Sequence, residues 1–311
     1  MTDLDTEVYR PELLVHCYRL LGSVDDAEDV VQETMLRAWR SRGTYDAGLS
    51  SPRTWLYRIA TNACLTALRG RARRPLPSGL GAPSDDVSAP LVPAFDVPWL
   101  QPFPDARLTD PAGAVIRHGT LRLALVAALQ LLPPRQRAVL VLREVLEFSA
   151  QEVAALLDTS PAAVNSALQR ARSTLSGVAE TSVSEPPDRD VRETVDRYVR
   201  AFEIADVDAL VRLVTDDAVM EMPPVPLWYR GRADYGGFLA RLFAMRGEVW
   251  RMVRVAANTQ PALVAYVRTA DGTFRLHTLQ ILTVTRGGVA RNVVFQDPAV
   301  FAAFALPPTL T

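Results

Sequence analysis

The stretch SAQEVAALLDTSPAAVNSALQRARSTL, residues 149–175, sets Asn165, Ser166, Gln169, Arg170 and Arg172 on one side of a short periodic segment. Amide, hydroxyl and guanidinium groups are the side chains that meet phosphates and base edges in a DNA groove. Val164, Leu168, Ala171 and Leu175 recur at helical spacing on the other side, a stripe for burial. Upstream, Ser149 and Glu152 read as a capping box that opens a first helix. Ser160 reads as the N-cap and Pro161 as the first residue of the second. Helix, turn and helix with a packed back and a polar front fit a recognition helix. An ordinary helical hairpin with a solvated face has the same pattern. Arg135, Arg137 and Arg143 in LPPRQRAVLVLRE just upstream favour the DNA reading.

Two further clusters could do chemistry. Asp25, Asp26, Glu28, Asp29 and Glu33 crowd the start of a helical stretch, with Gln32 among them. Acidic residues there favour the helix dipole, yet five carboxylates exceed what capping needs. Leu36 and Trp39 on the same stretch are expected in the core. In RTWLYRIATNACLTALRGRARR, aromatic and basic groups follow one another. Trp55 there fits either a core position or a surface for stacking on unpaired bases.

The elements that must position these groups follow from composition. The chain has 311 residues, 49% apolar and 22% charged, with net charge −1. That excludes disorder and a uniformly basic coat, so DNA contact must come from local patches. Its 34 basic residues are all arginine, a planar donor suited to phosphate and guanine. Residues 8–74 read as a helical bundle. Residues 75–113 are dense in Pro, Gly and Ser and read as a linker, with Phe95, Trp99 and Phe103 as anchors. Residues 114–178 are helical again. Residues 188–306 open with two helical stretches and continue in alternating runs, VWRMVRVA, ALVAYVRT, FRLHTLQILTV and VARNVVFQ, joined by turns at DG and RGG, the pattern of an α+β domain. The fold class is multidomain, two all-α parts and a C-terminal α+β part.

No cofactor or metal is expected. His16, His118 and His277 lack ligand spacing, and no phosphate-cradling glycine loop occurs. Cys17 and Cys64 read as small buried hydrophobes in a reducing compartment. There is no signal-peptide run and no stretch long enough to span a bilayer, so the cytoplasm is the expected location and no membrane partner is expected.

LGSVDDAEDVVQETMLRAWR (21–40), SPRTWLYRIATNACLTALRGRARR (51–74) and LPPRQRAVLVLREVLEFSAQEVAALLDTSPAAVNSALQRAR (132–172) resemble regions 2 and 4 of the sigma-70 family, in its extracytoplasmic-function group. The resemblance implies a promoter-specificity subunit of RNA polymerase. Asp26, Asp29, Gln32 and Glu33 would then meet the β′ clamp helices. Trp55, Tyr57, Arg58, Asn62, Arg69, Arg71, Arg73 and Arg74 would serve −10 melting and reading. Arg143, Asn165, Ser166, Gln169, Arg170 and Arg172 would read the −35 element beside the β flap. The linker would thread along the core enzyme.

RYVRAFEIADVDALVRLVTDDAVMEMPPVPLWYRGR (197–232) and the strands beyond it resemble a SnoaL-like domain of the nuclear-transport-factor-2-like superfamily, a cone-shaped α+β barrel with an apolar cavity. Met222, Trp228, Tyr229, His277 and Phe295 then line the pocket or simply its core, and a small apolar ligand is the occupant implied. Asp216, Asp217, Glu221, His277 and Asp297 are the groups available for acid–base work, but no spacing fixes a dyad, so no enzyme is expected. Asp216 and Asp217 fit a turn after a helix, and Asp297 a turn ending a strand. In the sigma-factor subset with this extension, the extension is thought to act in cis, through intramolecular contact with the sigma domains. Two rival readings stay open. One is a DNA-binding regulator that works without polymerase; the other is a bifunctional protein that binds or converts a small apolar molecule.

Overall fold

The computed structural model describes residues 5–108, 120–176 and 186–310. His118 and the expected boundary between linker and second helical part lie outside these. The chain forms two compact units, Met1–Arg74 with Leu100–Thr181, and Pro75–Trp99 with Ser182–Thr311.

The first unit is helical: α1 (Arg10–Leu21), α2 (Val24–Ser41), α3 (Pro52–Ala67), α4 (Leu123–Leu129), α5 (Pro134–Leu140), α6 (Ala150–Leu156) and α7 (Pro161–Ser176). α1 ends at Gly22, whose φ of +68° suits glycine. Ser23 then caps α2, accepting from the Asp26 amide at 3.2 Å. α1 is buried on all sides from Leu13 to Leu21, as a central helix must be. The buried stripe of α2 runs through Val24, Ala27, Val30, Val31, Thr34, Met35 and Ala38. Leu36 and Trp39 fall outside that arc and are 49% and 63% exposed, which corrects their assignment to the core. Of the linker aromatics, Phe103 packs on Tyr18 at 5.0 Å and Trp99 is buried, but Phe95 is exposed.

Polar groups inside this unit are few and specific. Arg137 of α5 is buried, and donates to the carbonyls of Leu20, Gln130 and Leu132 and to the Gln130 amide oxygen. It is therefore withdrawn from solvent, contrary to its expected part in a basic DNA surface. His16 is fully buried, with Nε2 2.9 Å from Thr61 Oγ1. Burial, then the charges of Arg19 and Arg53, push its pKa down to about 3. The folded state thus holds His16 neutral while the unfolded chain takes a proton below about 6.5. Stability is full above that pH and falls as pH drops toward 3. We expect a loss of about 2 kcal/mol between pH 6.5 and pH 5 from this group. Urea titrations followed by circular dichroism at the two pH values check it. His16→Gln should flatten the difference, and an equally steep loss in the variant would refute the assignment.

The second unit is α+β: α8 (Asp188–Glu203), α9 (Val207–Leu213), β1 (Val214–Met222), β2 (Val225–Arg230), α10 (Arg232–Arg246), β3 (Trp250–Ala257), β4 (Gln260–Arg268), β5 (Phe274–Thr285), β6 (Gly288–Phe295), α11 (Pro298–Ala303) and β7 (Thr309–Leu310). The sheet order is β2-β1-β6-β5-β4-β3, with β7 on β5. β1 and β6 are parallel; the other pairs are antiparallel. The four alternating runs become β3 to β6. Asp216 and Asp217, expected in a turn, lie in β1, and Trp228, Tyr229 and Arg230 belong to strand β2. Asn258 and Thr259, both near φ +56°, turn β3 into β4, the geometry of a tight hairpin. At Gly288 (φ +122°) a Cβ would sit 2.3 Å from the Leu213 carbonyl oxygen, so the β5–β6 turn admits only glycine. One apolar cluster joins α8, α9 and α10 to the sheet through Tyr198, Phe202, Leu210, Phe238 and Phe243 against Met220, Leu263 and Leu282. Each such side chain contributes about 2 kcal/mol on burial.

Residues 75–99 form a strap on this unit. Ser78 N donates to Glu221 Oε1 at 2.9 Å, and Ser84 N to the Trp228 carbonyl at 2.8 Å. Trp228 Nε1 donates to the Gly81 carbonyl at 3.0 Å. Arg241 Nη1 reaches the carbonyls of Val87 and Ala89 at 2.6 and 2.8 Å. Ala94 N closes on the Pro224 carbonyl at 2.9 Å. Proline removes backbone donors and precludes a regular helix or ladder here; besides local turn bonds such as Leu80 N to the Pro77 carbonyl, the segment's backbone groups are met by β2 and α10.

Candidate nucleic-acid interface and the strap seat

The helix-turn-helix is built as its residues dictate. Ser149 Oγ accepts from Glu152 N at 3.2 Å and Glu152 Oε2 accepts from Ser149 N at 2.7 Å, which fixes the start of α6. Asp158, at φ +50°, turns the chain, and Ser160 Oγ accepts from Ala163 N at 3.2 Å to start α7. Val164, Leu168, Ala171 and Leu175 are buried. Asn165, Ser166, Gln169, Arg170 and Arg172 are all exposed on the opposite face. Arg172 pairs with exposed Glu144, a contact of under about 1 kcal/mol that a phosphate can displace. Arg143 is turned the other way: its Nη1 donates to the Phe148 carbonyl and holds the turn before α6.

On α2, Asp29, Gln32 and Glu33 are exposed. Asp26 is drawn into an ion-pair set, bridged by Arg71 at 2.9 Å and Arg74 at 2.7 Å. Arg58, Arg69 and Arg73 are exposed, and Trp55 is half-buried against Tyr45 at 5.0 Å. Tyr57 is fully buried. Its hydroxyl donates to Glu12 at 3.1 Å, and its ring lies 4.9 Å from His16 and 5.7 Å from Phe148. Burial first, then the Glu12 charge, raise its pKa. Asn62 is exposed and its amide donates to the Arg58 and Leu156 carbonyls at 3.0 and 3.3 Å. The structure therefore brings α3 against the helices that carry α6 and α7 through Tyr57, Phe148 and Asn62.

In the second unit Met222 and Tyr229 join the apolar cluster, while Trp228, opposite Glu221 in the strand register, meets the strap through its indole; the Tyr229 hydroxyl donates to the Asp86 carbonyl at 3.4 Å. His277 packs edge-on to Trp250 at 5.2 Å, and burial lowers its pKa to about 4. Phe295 is buried at the end of β6. The acid–base candidates are dispersed. Asp216 pairs with Arg232 at 2.7 Å on the surface, and Asp217 accepts from Thr215 at 3.0 Å. Asp297 caps α11 through Ala299 N at 2.8 Å. Glu221 is fully buried and pairs with Arg291.

Sequence reasoning missed one polar constellation. Tyr198, Tyr235, Gln280 and Asn292 are buried together, each about 3.1 Å from its neighbours. They come from α8, α10, β5 and β6, so no spacing could have linked them. Arg241, which holds the strap, gave no signal either.

Two helical elements with an exposed reading helix, joined in one chain to a helix-covered sheet, define a DNA-binding protein with an appended α+β domain. The comparisons with known proteins specify it further. The family model for Sigma-70 region 2 matches residues 6–74, that for Sigma-70 region 4 matches 122–175, and that for the SnoaL-like domain matches 195–293. The ECF RNA polymerase sigma factor SigG of Mycobacterium tuberculosis is 48% identical over 98% of this chain and 84% of its own length. SigJ of the same organism is 34% identical over 68% of this chain and 61% of its own. The crystal structure of that SigJ superposes with a TM-score of 0.66 at 25% identity, covering 97% of this chain and 98% of SigJ. The chain belongs to the extracytoplasmic-function RNA polymerase sigma factors and carries a C-terminal SnoaL-like domain. Among the described residues no helix is long and apolar enough to cross a membrane.

Proposed function

We propose that this sigma factor, which binds RNA polymerase core and promoter DNA, is regulated in cis by its SnoaL-like domain, which holds the segment between regions 2 and 4. The observation that carries the proposal is the strap: residues 78–94 are bonded at both ends and in the middle to β1, β2, the turn between them and α10. The resemblance implies that this segment threads along the core enzyme, and it cannot lie there while seated on the domain. The held state is therefore the restrained one. The domain acts by binding rather than by catalysis, as its dispersed carboxylates support. Asp29, Gln32 and Glu33 are our contacts for the β′ clamp helices, with Asp26 behind its arginine pairs. Trp55, Arg58, Asn62, Arg69 and Arg73 serve the −10 element. Asn165, Ser166, Gln169, Arg170 and Arg172 read the −35 element beside the β flap.

Run-off transcription with purified core tests this. Arg241→Ala removes both strap contacts of one guanidinium, each worth about 1.5–3 kcal/mol as a charged bond. We expect at least a fivefold rise in transcript over the full-length protein, approached also by a chain ending at residue 182. If both variants match the full-length protein, cis regulation by strap capture is wrong. If none directs initiation, the residue assignments to core and promoter fail instead.

A further inference from the structure

α8 and α9 enclose a surface groove of about 430 Å³, the size of a small-ligand site. Arg197 and Arg200, one turn apart on α8, line it together with Arg212 of α9 and the aliphatic Ala201, Ala209 and Leu213. None of the three guanidiniums takes part in a hydrogen bond or ion pair among the described residues. Asp206, which also borders the groove, spends its Oδ1 on the Ala209 amide at 2.9 Å as the N-cap of α9. Three cations thus line one groove with no carboxylate paired to them among the described residues. Ile204, which also lines the groove, is 71% exposed, a large aliphatic side chain left in water. A site of guanidiniums beside aliphatic side chains matches an anionic head on a short hydrocarbon chain: arginine forks bind carboxylate or phosphate oxygens, and the aliphatic lining takes the methylenes.

We propose that this groove binds a medium-chain acyl or alkyl anion in soluble, monomeric form. A nucleic acid would satisfy the arginines but leave Ile204 in water, and an uncharged lipid would leave the arginines unmatched. The site is separate from the strap seat and stands whether or not the strap regulates transcription.

Isothermal titration of the full-length chain with octyl phosphate, hexyl phosphate and inorganic phosphate tests the proposal, all below micelle-forming concentrations. Octyl phosphate should bind with Kd on the order of 100 μM. Hexyl phosphate, two methylenes shorter, should bind about tenfold weaker and inorganic phosphate at least about a hundredfold weaker. Arg200→Gln and Arg212→Gln should each weaken octyl phosphate about fivefold or more. Ile204→Ser should weaken octyl phosphate and leave inorganic phosphate unchanged. All three positions are exposed, and circular dichroism verifies that the variants fold. Equal affinity for all three anions would reduce the groove to a plain anion site and overturn the proposal. So would insensitivity to the arginine variants, or binding to phosphatidylglycerol vesicles without binding to monomeric octyl phosphate.

Discussion

Arg137→Ala should destabilise the helical unit by about 3–5 kcal/mol. The side chain is 3% exposed and has no carboxylate partner among the described residues. Burial lowers its pKa only to about 10, so it stays charged at neutral pH. It is held by carbonyl dipoles from Leu20 in α1, from Gln130 and Leu132 in the turn after α4, and by the Gln130 side chain. Those carbonyls lie where helices end and have no intrahelical donor of their own. Truncation removes the donors and leaves buried acceptors unmatched, the costly half of a lost hydrogen bond. Arg137→Lys keeps the charge but replaces a planar fork by a point donor, and should recover less than half of the loss. Urea denaturation of the three proteins measures this. A change within about 0.5 kcal/mol for alanine, the range of an ordinary surface substitution, would show that water replaces the guanidinium and that Arg137 does not tie α1 to α5.

Glu221→Ala should cost about 2–4 kcal/mol in the second unit and loosen the strap. Glu221 alternates with Met220 and Met222 along β1, so it faces away from the apolar cluster those residues join. There its carboxylate, itself fully buried, receives Arg291 and the Ser78 amide. Arg291 is 29% exposed, so solvent relieves part of its loss and the figure stays below that of a wholly buried pair. The alanine variant should show a lowered unfolding midpoint and faster proteolytic cutting within residues 75–84. A Glu221→Leu, Arg291→Leu double variant should restore the midpoint, because a well-packed apolar pair can replace a buried ion pair. It should not restore protection, because the Ser78 amide stays unmatched. Protection unchanged in both variants would mean that the anchor of the strap lies elsewhere.

How far the sequence carried this protein differs by element. The capping box at Ser149 and Glu152, the N-cap at Ser160 and the stripe Val164, Leu168, Ala171 and Leu175 act within a few residues of themselves. Local propensity and periodicity therefore fix them, and the exposed polar face of α7 follows. The same holds for the alternating runs of β3 to β6. Legibility ended where contacts are distant in sequence. Composition marked 75–99 as proline-rich and unable to form a helix, but that it lies on β2 and α10 depends on the Arg241 guanidinium and the Trp228 indole. Periodicity marked Arg137 as one of several arginines near a DNA-binding helix. Only packing decided that it caps carbonyls inside the unit while Arg170 faces solvent. Leu36 and Trp39 look like core by type and are surface by position, since the arc of α2 that meets α1 and α3 is set by those helices. The polar group of Tyr198, Tyr235, Gln280 and Asn292 exists only because four elements converge. The amino-acid sequence by itself thus determined the family, the helical and alternating elements and the exposed polar face of α7, all of which rest on short-range patterns. The tertiary structure decided which charges are buried, which are free, and what the linker segment is bonded to, because each depends on groups brought together from far along the chain.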